Sequence, residues 1–267
     1  MAPLYQEYFG LDRPPFDKAV LDSELWLPSG KQDLVEDILD ALRARESVLL
    51  YGESGVGKTC VLRVLRHRIG NDGFRLTYCH NAPLGRRDFY RQLCRALALP
   101  DASTAGALVH TLASHVQDLR TERLHPVLLL DESHLLPQET LDVLHLLMNY
   151  DWDSLPLLSL VLIGLPELHE RLALRRNRSL YSRLTRRLRI EPLAPEDTAQ
   201  YLRTRLRRAG CERDLFTPAA VIALHEAVGG AMRELDRLAQ AALREAARHK
   251  RRLVDVEHIQ TLLHASG

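Results

Sequence analysis

The sequence predicts an α/β protein, with a central parallel sheet followed by a small all-helical domain. Three observations carry this. Through roughly the first 190 residues, short apolar runs alternate with amphipathic stretches. That is the pattern of strands buried on both faces with helices between them. After Pro192 the apolar runs stop and only helical periodicity remains. The chain has 267 residues, enough for one large domain or two modest ones.

Ser47–Tyr51 opens the alternation and leads into a glycine-rich loop. Phe74–Cys79, Pro126–Asp131 and Leu157–Gly164 read as further buried strands, and Arg187–Glu191 as a shorter last one. Between them, Thr59–Ile69, Arg87–Ala98, Ala105–Leu119, Gln138–Asn149 and Glu167–Leu174 have helical spacing. Beyond the last strand come Pro195–Ala209, Pro218–Val228, Met232–Lys250 and Val256–His264, all helical. Thr217 before Pro218 is a helix start, and Asp255 is placed to cap the last helix. The change of character near Glu191–Pro195 sets a boundary between residues 1–192 and 193–267.

A hydrophobic fraction of 46% with 27% charged residues is that of an ordinary globular protein. The most apolar stretches, Val127–Leu130 and Leu157–Ile163, fall short of the roughly 18 residues needed to span a bilayer, so no membrane partner is expected. Met1–Gly10 lacks a basic region followed by an apolar core. Cys60, Cys79, Cys94 and Cys211 have no metal-ligand spacing and read as reduced thiols of a cytoplasmic protein. The net charge of +1 hides a basic cluster from Arg171 to Arg213, and Lys18, Lys31, Lys58 and Lys250 are the only lysines. Guanidinium groups suit phosphates and carboxylates, but charge alone leaves nucleic-acid binding open.

The strongest local signal is Gly52-Glu53-Ser54-Gly55-Val56-Gly57-Lys58-Thr59, followed by Cys60. It follows an apolar strand and opens a helix, the context a phosphate-binding loop requires. Glycines let the backbone curl so that successive N–H groups face the phosphates, and the helix N-terminus adds a positive dipole end. Lys58 then reaches the β- and γ-phosphates and Thr59 offers a hydroxyl to Mg²⁺. The second signal is the run Val127–Leu130 followed by Asp131 and Glu132. It puts an acidic pair at the carboxyl end of a buried strand, where open α/β sheets bind ligands. Asp131 serves the Mg²⁺ shell and Glu132 the attacking water. The chemistry expected is therefore that of Mg·ATP. His134 reads as a turn histidine rather than a catalytic group, and His80 as structural rather than a metal ligand.

With these residues in place, the chain resembles an AAA+ ATPase of the ExeA/GspA type, from about Tyr5 to Ile259. Tyr8-Phe-Gly-Leu-Asp-Arg-Pro-Pro-Phe16 is similar to that family's N-terminal signature, and Asp131-Glu-Ser-His-Leu-Leu136 to its extended acidic motif. Leu162-Ile-Gly-Leu-Pro-Glu-Leu168 and Gly229-Gly-Ala-Met-Arg-Glu-Leu-Asp-Arg-Leu238 are similar to its G-Q-P-E-L and lid segments. The resemblance implies a P-loop domain over 1–192 and a helical lid over 193–267. It makes Arg183 the arginine finger toward a neighbour's nucleotide, with Arg187 the second candidate. The alternative is that both coat a basic surface. It makes Arg233 the lid's sensor arginine, unless that residue pairs with Asp236 on one helix face. Asn81 would hold the acidic pair's glutamate, or is a plain turn residue. Tyr8, Phe9 and Phe16 would line the adenine pocket, or are core. Leu165 departs from the pattern, because a polar residue is expected after Gly164. Hydrolysis is then expected to be slow, unless Ser159 or another group substitutes.

Short members of this kind are similar to the transposon-encoded regulators of the TnsC, TniB and MuB type. That implies an ATP-driven homo-oligomer, a ring or filament on double-stranded DNA, that recruits a transposase and answers to target-selector proteins. The physical requirement is a phosphate-facing basic surface. Arg86 and Arg87 at a helix start fit it, and Arg120, with Arg123, forms a weaker patch. A secretion-pathway ATPase and a nucleotide-gated scaffold with little hydrolysis are the alternatives.

Overall fold

The five expected strands form, all parallel, in this computed structural model, which describes residues 5–69, 73–80, 85–149 and 155–265. They are β1 (Ser47–Tyr51), β2 (Phe74–His80), β3 (His125–Asp131), β4 (Ser159–Gly164) and β5 (Leu184–Arg189). Their order is β2-β3-β4-β1-β5, and every pairing is parallel. The expected α/β fold with a parallel sheet and a helical C-terminal part is what the chain forms.

Position in the sheet explains the burial of each strand. In the inner strands β3 and β4 every residue is buried, because helices cover both faces. The edge strands differ from expectation. β2 was expected to be buried throughout, but Arg75, Tyr78 and His80 are exposed. β5 begins at Leu184, three residues before the expected start. Among the described residues it pairs only with β1, and its arginines keep the other edge charged, so apolar periodicity could not mark it.

The chain divides into two compact units. The sheet unit comprises Ser29–Glu53 and Lys58–Ile190. Besides the strands it holds α2 (Ser29–Arg43), α3 (Lys58–Ile69), α4 (Arg86–Ala96), α5 (Ala105–Thr121), α6 (Gln138–Leu144), α7 (Pro166–Ala173) and α8 (Arg178–Tyr181). Helix α2 is additional to the expected elements. Its Val35, Ile38, Leu39 and Leu42 are buried and have the i, i+3, i+4, i+7 spacing of an amphipathic helix. Thr104 caps α5 by accepting a hydrogen bond from Ala107 N at 3.2 Å.

At the amino end of the sheet the polar groups pair with one another. Ser47 Oγ donates to Met148 Sδ at 3.4 Å and accepts from Leu160 N at 2.9 Å. His125 Nε2 lies 2.8 Å from Ser159 Oγ. Burial, with a smaller contribution from Arg45, lowers the His125 pKa to about 4. Below the unfolded value near 6.5 the unfolded chain binds a proton that the folded chain refuses. Stability is therefore expected to fall as pH drops from 6.5 toward 4. A shift of this size corresponds to roughly 3 kcal/mol at most. Thermal unfolding measured from pH 7 to 4.5 should show a smaller decline in His125→Asn than in the parent chain.

The second unit comprises Met1–Pro28, Ser54–Gly57 and Glu191–Gly267. It contains α1 (Tyr5–Phe9), α9 (Pro195–Arg208), α10 (Pro218–Val228), α11 (Met232–Arg248) and α12 (Val256–His264). Thr217 caps α10 by accepting from Ala220 N at 3.2 Å, and Gly229 ends it at φ 57°, as a left-handed glycine does. Asp255 caps α12 in a capping box with His258. The expected boundary at 192/193 falls two residues from the break at Ile190/Glu191. The first 28 residues, however, were assigned to the sheet domain, and they belong with the C-terminal helices. Long-range hydrogen bonds hold them there. Asp12 N donates to Ala209 O at 2.8 Å, Arg13 Nε to Arg208 O at 2.8 Å, Arg205 Nη2 to Asp17 O at 2.6 Å and Arg213 Nη2 to Phe9 O at 3.2 Å.

Candidate nucleotide site

β1 ends at Tyr51 and α3 begins at Lys58, so Gly52–Gly57 form the connecting loop. Gly55 and Gly57 have φ of 79° and 102°, which side chains rarely tolerate. Gly52 is fixed by space. A Cβ there would sit 2.5 Å from both Ile190 O and Ile190 Cγ2. Gly52 N donates to Gly164 O at 3.2 Å, and Ile190 N donates to Tyr51 O at 2.8 Å. Lys58 folds back over the loop, and its Nζ donates to Gly52 O at 2.6 Å and to Glu53 O at 2.8 Å. Thr59 is exposed and Cys60 half-buried in the first turn of α3, while Val56 is buried.

β3 delivers Asp131, which is 5% exposed. Its Oδ1 accepts from Glu132 N at 2.8 Å, and its Oδ2 accepts from the Tyr78 hydroxyl at 2.8 Å. Desolvation first, then the hydrogen bond and charge of Asp131, push the Tyr78 phenol above its usual pKa, so it remains a donor at neutral pH. Glu132 turns the chain sharply in the left-handed region, φ 53° and ψ 32°. That costs a non-glycine residue about 1–2 kcal/mol. The surroundings hold it. Ser133 Oγ donates to Leu130 O at 2.7 Å. Arg171 from α7 donates to His134 O at 2.7 Å and to Leu136 O at 2.9 Å. A Cβ on Gly164 would come within 3.2 Å of His134 N. His134, read as a turn histidine, has Nδ1 3.5 Å from Glu132 Oε2.

These donors fit Mg²⁺. Thr59 and Asp131 offer hard oxygens. Among the described residues no group of three or more His, Cys, Asp or Glu is placed to hold a metal by itself. Mg²⁺ is ordinarily held by one or two carboxylates, substrate phosphates and water rather than by an all-protein cage.

The other expected residues fall in several places. Arg233 lies in the helical unit with the loop tip. Its backbone N donates to Gly55 O at 3.2 Å, and its Nη1 to Ser54 Oγ at 3.4 Å. Asp236, the alternative partner, instead accepts from the Tyr201 hydroxyl at 2.7 Å and lies 3.8 Å from Arg205. Arg183 precedes β5, and its Nη1 donates to Ser179 O at 2.9 Å. It lies roughly 20 Å along the strand from Arg189, the residue paired with Tyr51, at ~3.3 Å per residue. Arg187 lies over the Tyr181 ring at 3.9 Å and donates to Tyr181 O at 2.9 Å. Phe9 and Phe16 are buried in the helical unit, while Tyr8 is half-buried. Arg86 and Arg87 are exposed in the first turn of α4, and Arg120 is exposed in the last turn of α5. Asn81 lies outside the described residues.

Ser159 cannot stand in for the polar residue missing at Leu165. It sits at the amino end of β4, held by His125, roughly 16 Å from Gly164 at ~3.3 Å per residue. Leu165 itself is half-buried at the start of α7. Two residues at the site were not foreseen, Tyr78 and Arg171. Tyr78 was legible in principle, because it shares a face of β2 with His80, which pairs with Asp131 in register. Arg171 had no local signal, since its carbonyl partners lie 35 and 37 residues upstream.

A family model for an AAA domain matches residues 24–172. The chain is 34% identical over 244 residues to General secretion pathway protein A of Aeromonas hydrophila, covering 90% of this chain and 44% of that protein. It therefore spans less than half the length of that relative. Among solved structures it is similar to Cdc6p from Pyrobaculum aerophilum, with TM-score 0.69 and 19% identity over 90% of this chain and 67% of that one. It is also similar to the Aeropyrum pernix ORC1 protein in complex with DNA, with TM-score 0.64 and 23% identity over 90% and 66%. At such identities the likeness to these two is one of fold.

Proposed function

The chain belongs to the AAA domain family, and from that premise we propose that it is a Mg²⁺-dependent ATPase. The observation that carries this is Lys58 folded over the glycine loop at the carboxyl end of the sheet that also ends in Asp131 and Glu132. Lys58 and the loop amides bind the phosphates, and Thr59 and Asp131 hold Mg²⁺. The ion, when bound, neutralises charge on the β- and γ-phosphates. Glu132 takes the proton of the attacking water. Arg233, already at the loop tip, is the sensor arginine. Arg183, before the amino end of β5, is too far from its own subunit's loop to reach it, which suits a finger offered to a neighbouring copy. Leu165 and the remoteness of Ser159 favour slow turnover.

The finer reading is an ATP-driven homo-oligomer on double-stranded DNA that recruits a transposase and its target selectors. Exposed Arg86 and Arg87 at the start of α4 support a backbone contact, with Arg120 a second point. Fluorescence anisotropy with duplexes of several sequences tests it. Replacing Arg86 and Arg87 by Ala should weaken binding uniformly and lower the salt slope by about 1–2, near 0.9 per phosphate contact. Unchanged affinity would move the DNA surface elsewhere. The identity to General secretion pathway protein A favours a second reading, a secretion-pathway ATPase. On that reading duplex DNA leaves ATP turnover unaltered.

A further inference from the structure

We propose that Tyr78 is a positioning residue that fixes the Asp131 carboxylate for Mg²⁺. This rests on the reading that Asp131 serves the metal. A carboxylate has two oxygens with about four lone-pair sites. Here each oxygen accepts one hydrogen bond, Oδ1 from Glu132 N and Oδ2 from the Tyr78 hydroxyl, both at 2.8 Å. The backbone bond is local and cannot by itself stop the carboxylate turning about its Cβ–Cγ bond. The phenol supplies the second point that sets the plane. Each oxygen keeps further lone-pair capacity.

The tyrosine reaches Asp131 from an adjacent strand. Tyr78 pairs with Leu129 in the β2–β3 register, so its side chain leans two residues along β3 to the strand end. Asp131 is 5% exposed, whereas Tyr78 is 49% exposed. A tyrosine so open on an edge strand adds little to the core, and its hydroxyl is spent on one buried carboxylate. Hydrogen bonds to metal-ligating carboxylates orient the ligand, and their loss typically weakens metal binding about 10–100-fold.

Tyr78→Phe keeps the ring and removes the donor. The readout is binding of a fluorescent ATP analogue to the full chain, first in EDTA and then titrated with Mg²⁺. The expected result is a rise of about 10–100-fold in the half-saturating Mg²⁺ concentration. Affinity in EDTA and the thermal unfolding midpoint stay as in the parent chain. Asp131→Asn, which should lose the Mg²⁺ dependence, locates that dependence at the carboxylate. An unaltered Mg²⁺ midpoint in Tyr78→Phe overturns the proposal. So does a lower midpoint, which would make the phenol a competitor of the ion. A parent chain whose nucleotide binding ignores Mg²⁺ overturns the Asp131 reading and this inference together. A normal Mg²⁺ response in the parent with no change in Tyr78→Phe overturns the inference alone.

Discussion

Lys58→Ala is expected to abolish tight ATP binding and leave the fold intact. Its ammonium is the one charged donor in the described loop and bridges Gly52 O and Glu53 O, so it braces the loop, and on the proposed reading it also holds the phosphates. Truncation removes both functions. Two charge-assisted hydrogen bonds of ~1.5–3 kcal/mol each correspond to roughly 10²–10⁴ in affinity. The methyl group that replaces the side chain is well tolerated near a helix start, and the β1–β4 and β1–β5 pairings do not involve it. Calorimetric titration with ATP, alongside circular dichroism, separates the two effects. Tight binding in the folded variant would remove Gly52–Thr59 as the nucleotide site.

Glu132→Gln should keep ATP bound and stop its turnover. Glutamine retains the size and the backbone turn but cannot accept the proton of the attacking water. General-base contributions of ~10²–10⁴ set the expected loss. The left-handed backbone of Glu132 is held by Ser133, Arg171 and the close approach of Gly164, so the substitution should not move the turn. Because the Leu165 side chain offers no hydrogen bond, the parent rate is expected to be low, and single-turnover measurement is the fair comparison. Equal single-turnover rates would exclude Glu132 as the base.

Legibility tracked how local each signal was. The inner strands and the glycine loop could be read because burial on both faces makes a continuous apolar run, and because glycines mark positive φ. The edge strands were misjudged in burial or start, since one side of each faces solvent and carries charge or a phenol. Helix α2 was readable from Val35, Ile38, Leu39 and Leu42 but lay before the first strand, outside the alternation that organised the rest. The assignment of the first 28 residues could not be read locally at all. It depends on Asp12, Arg13 and Asp17 meeting Ala209, Arg208 and Arg205. Arg171 was hidden for the same reason. Its role exists only where α7 packs against the turn after β3.

The helices of the helical unit lie on either side of the sheet unit in the chain, and this orders their synthesis on the ribosome. Phe9, Asp12, Arg13 and Asp17 emerge first, while their partners Arg205, Arg208, Ala209 and Arg213 are made 188–204 residues later. At ~5–20 residues per second the leading segment waits roughly 10–40 s for them. Tyr5, Phe9, Leu11 and Phe16, all buried in the finished protein, spend that interval without their final cover. The last strand of the sheet unit ends at Arg189, so nearly all of that interval is spent making the sheet unit's own chain. Apolar surface left uncovered for that long is the condition in which association competes with folding.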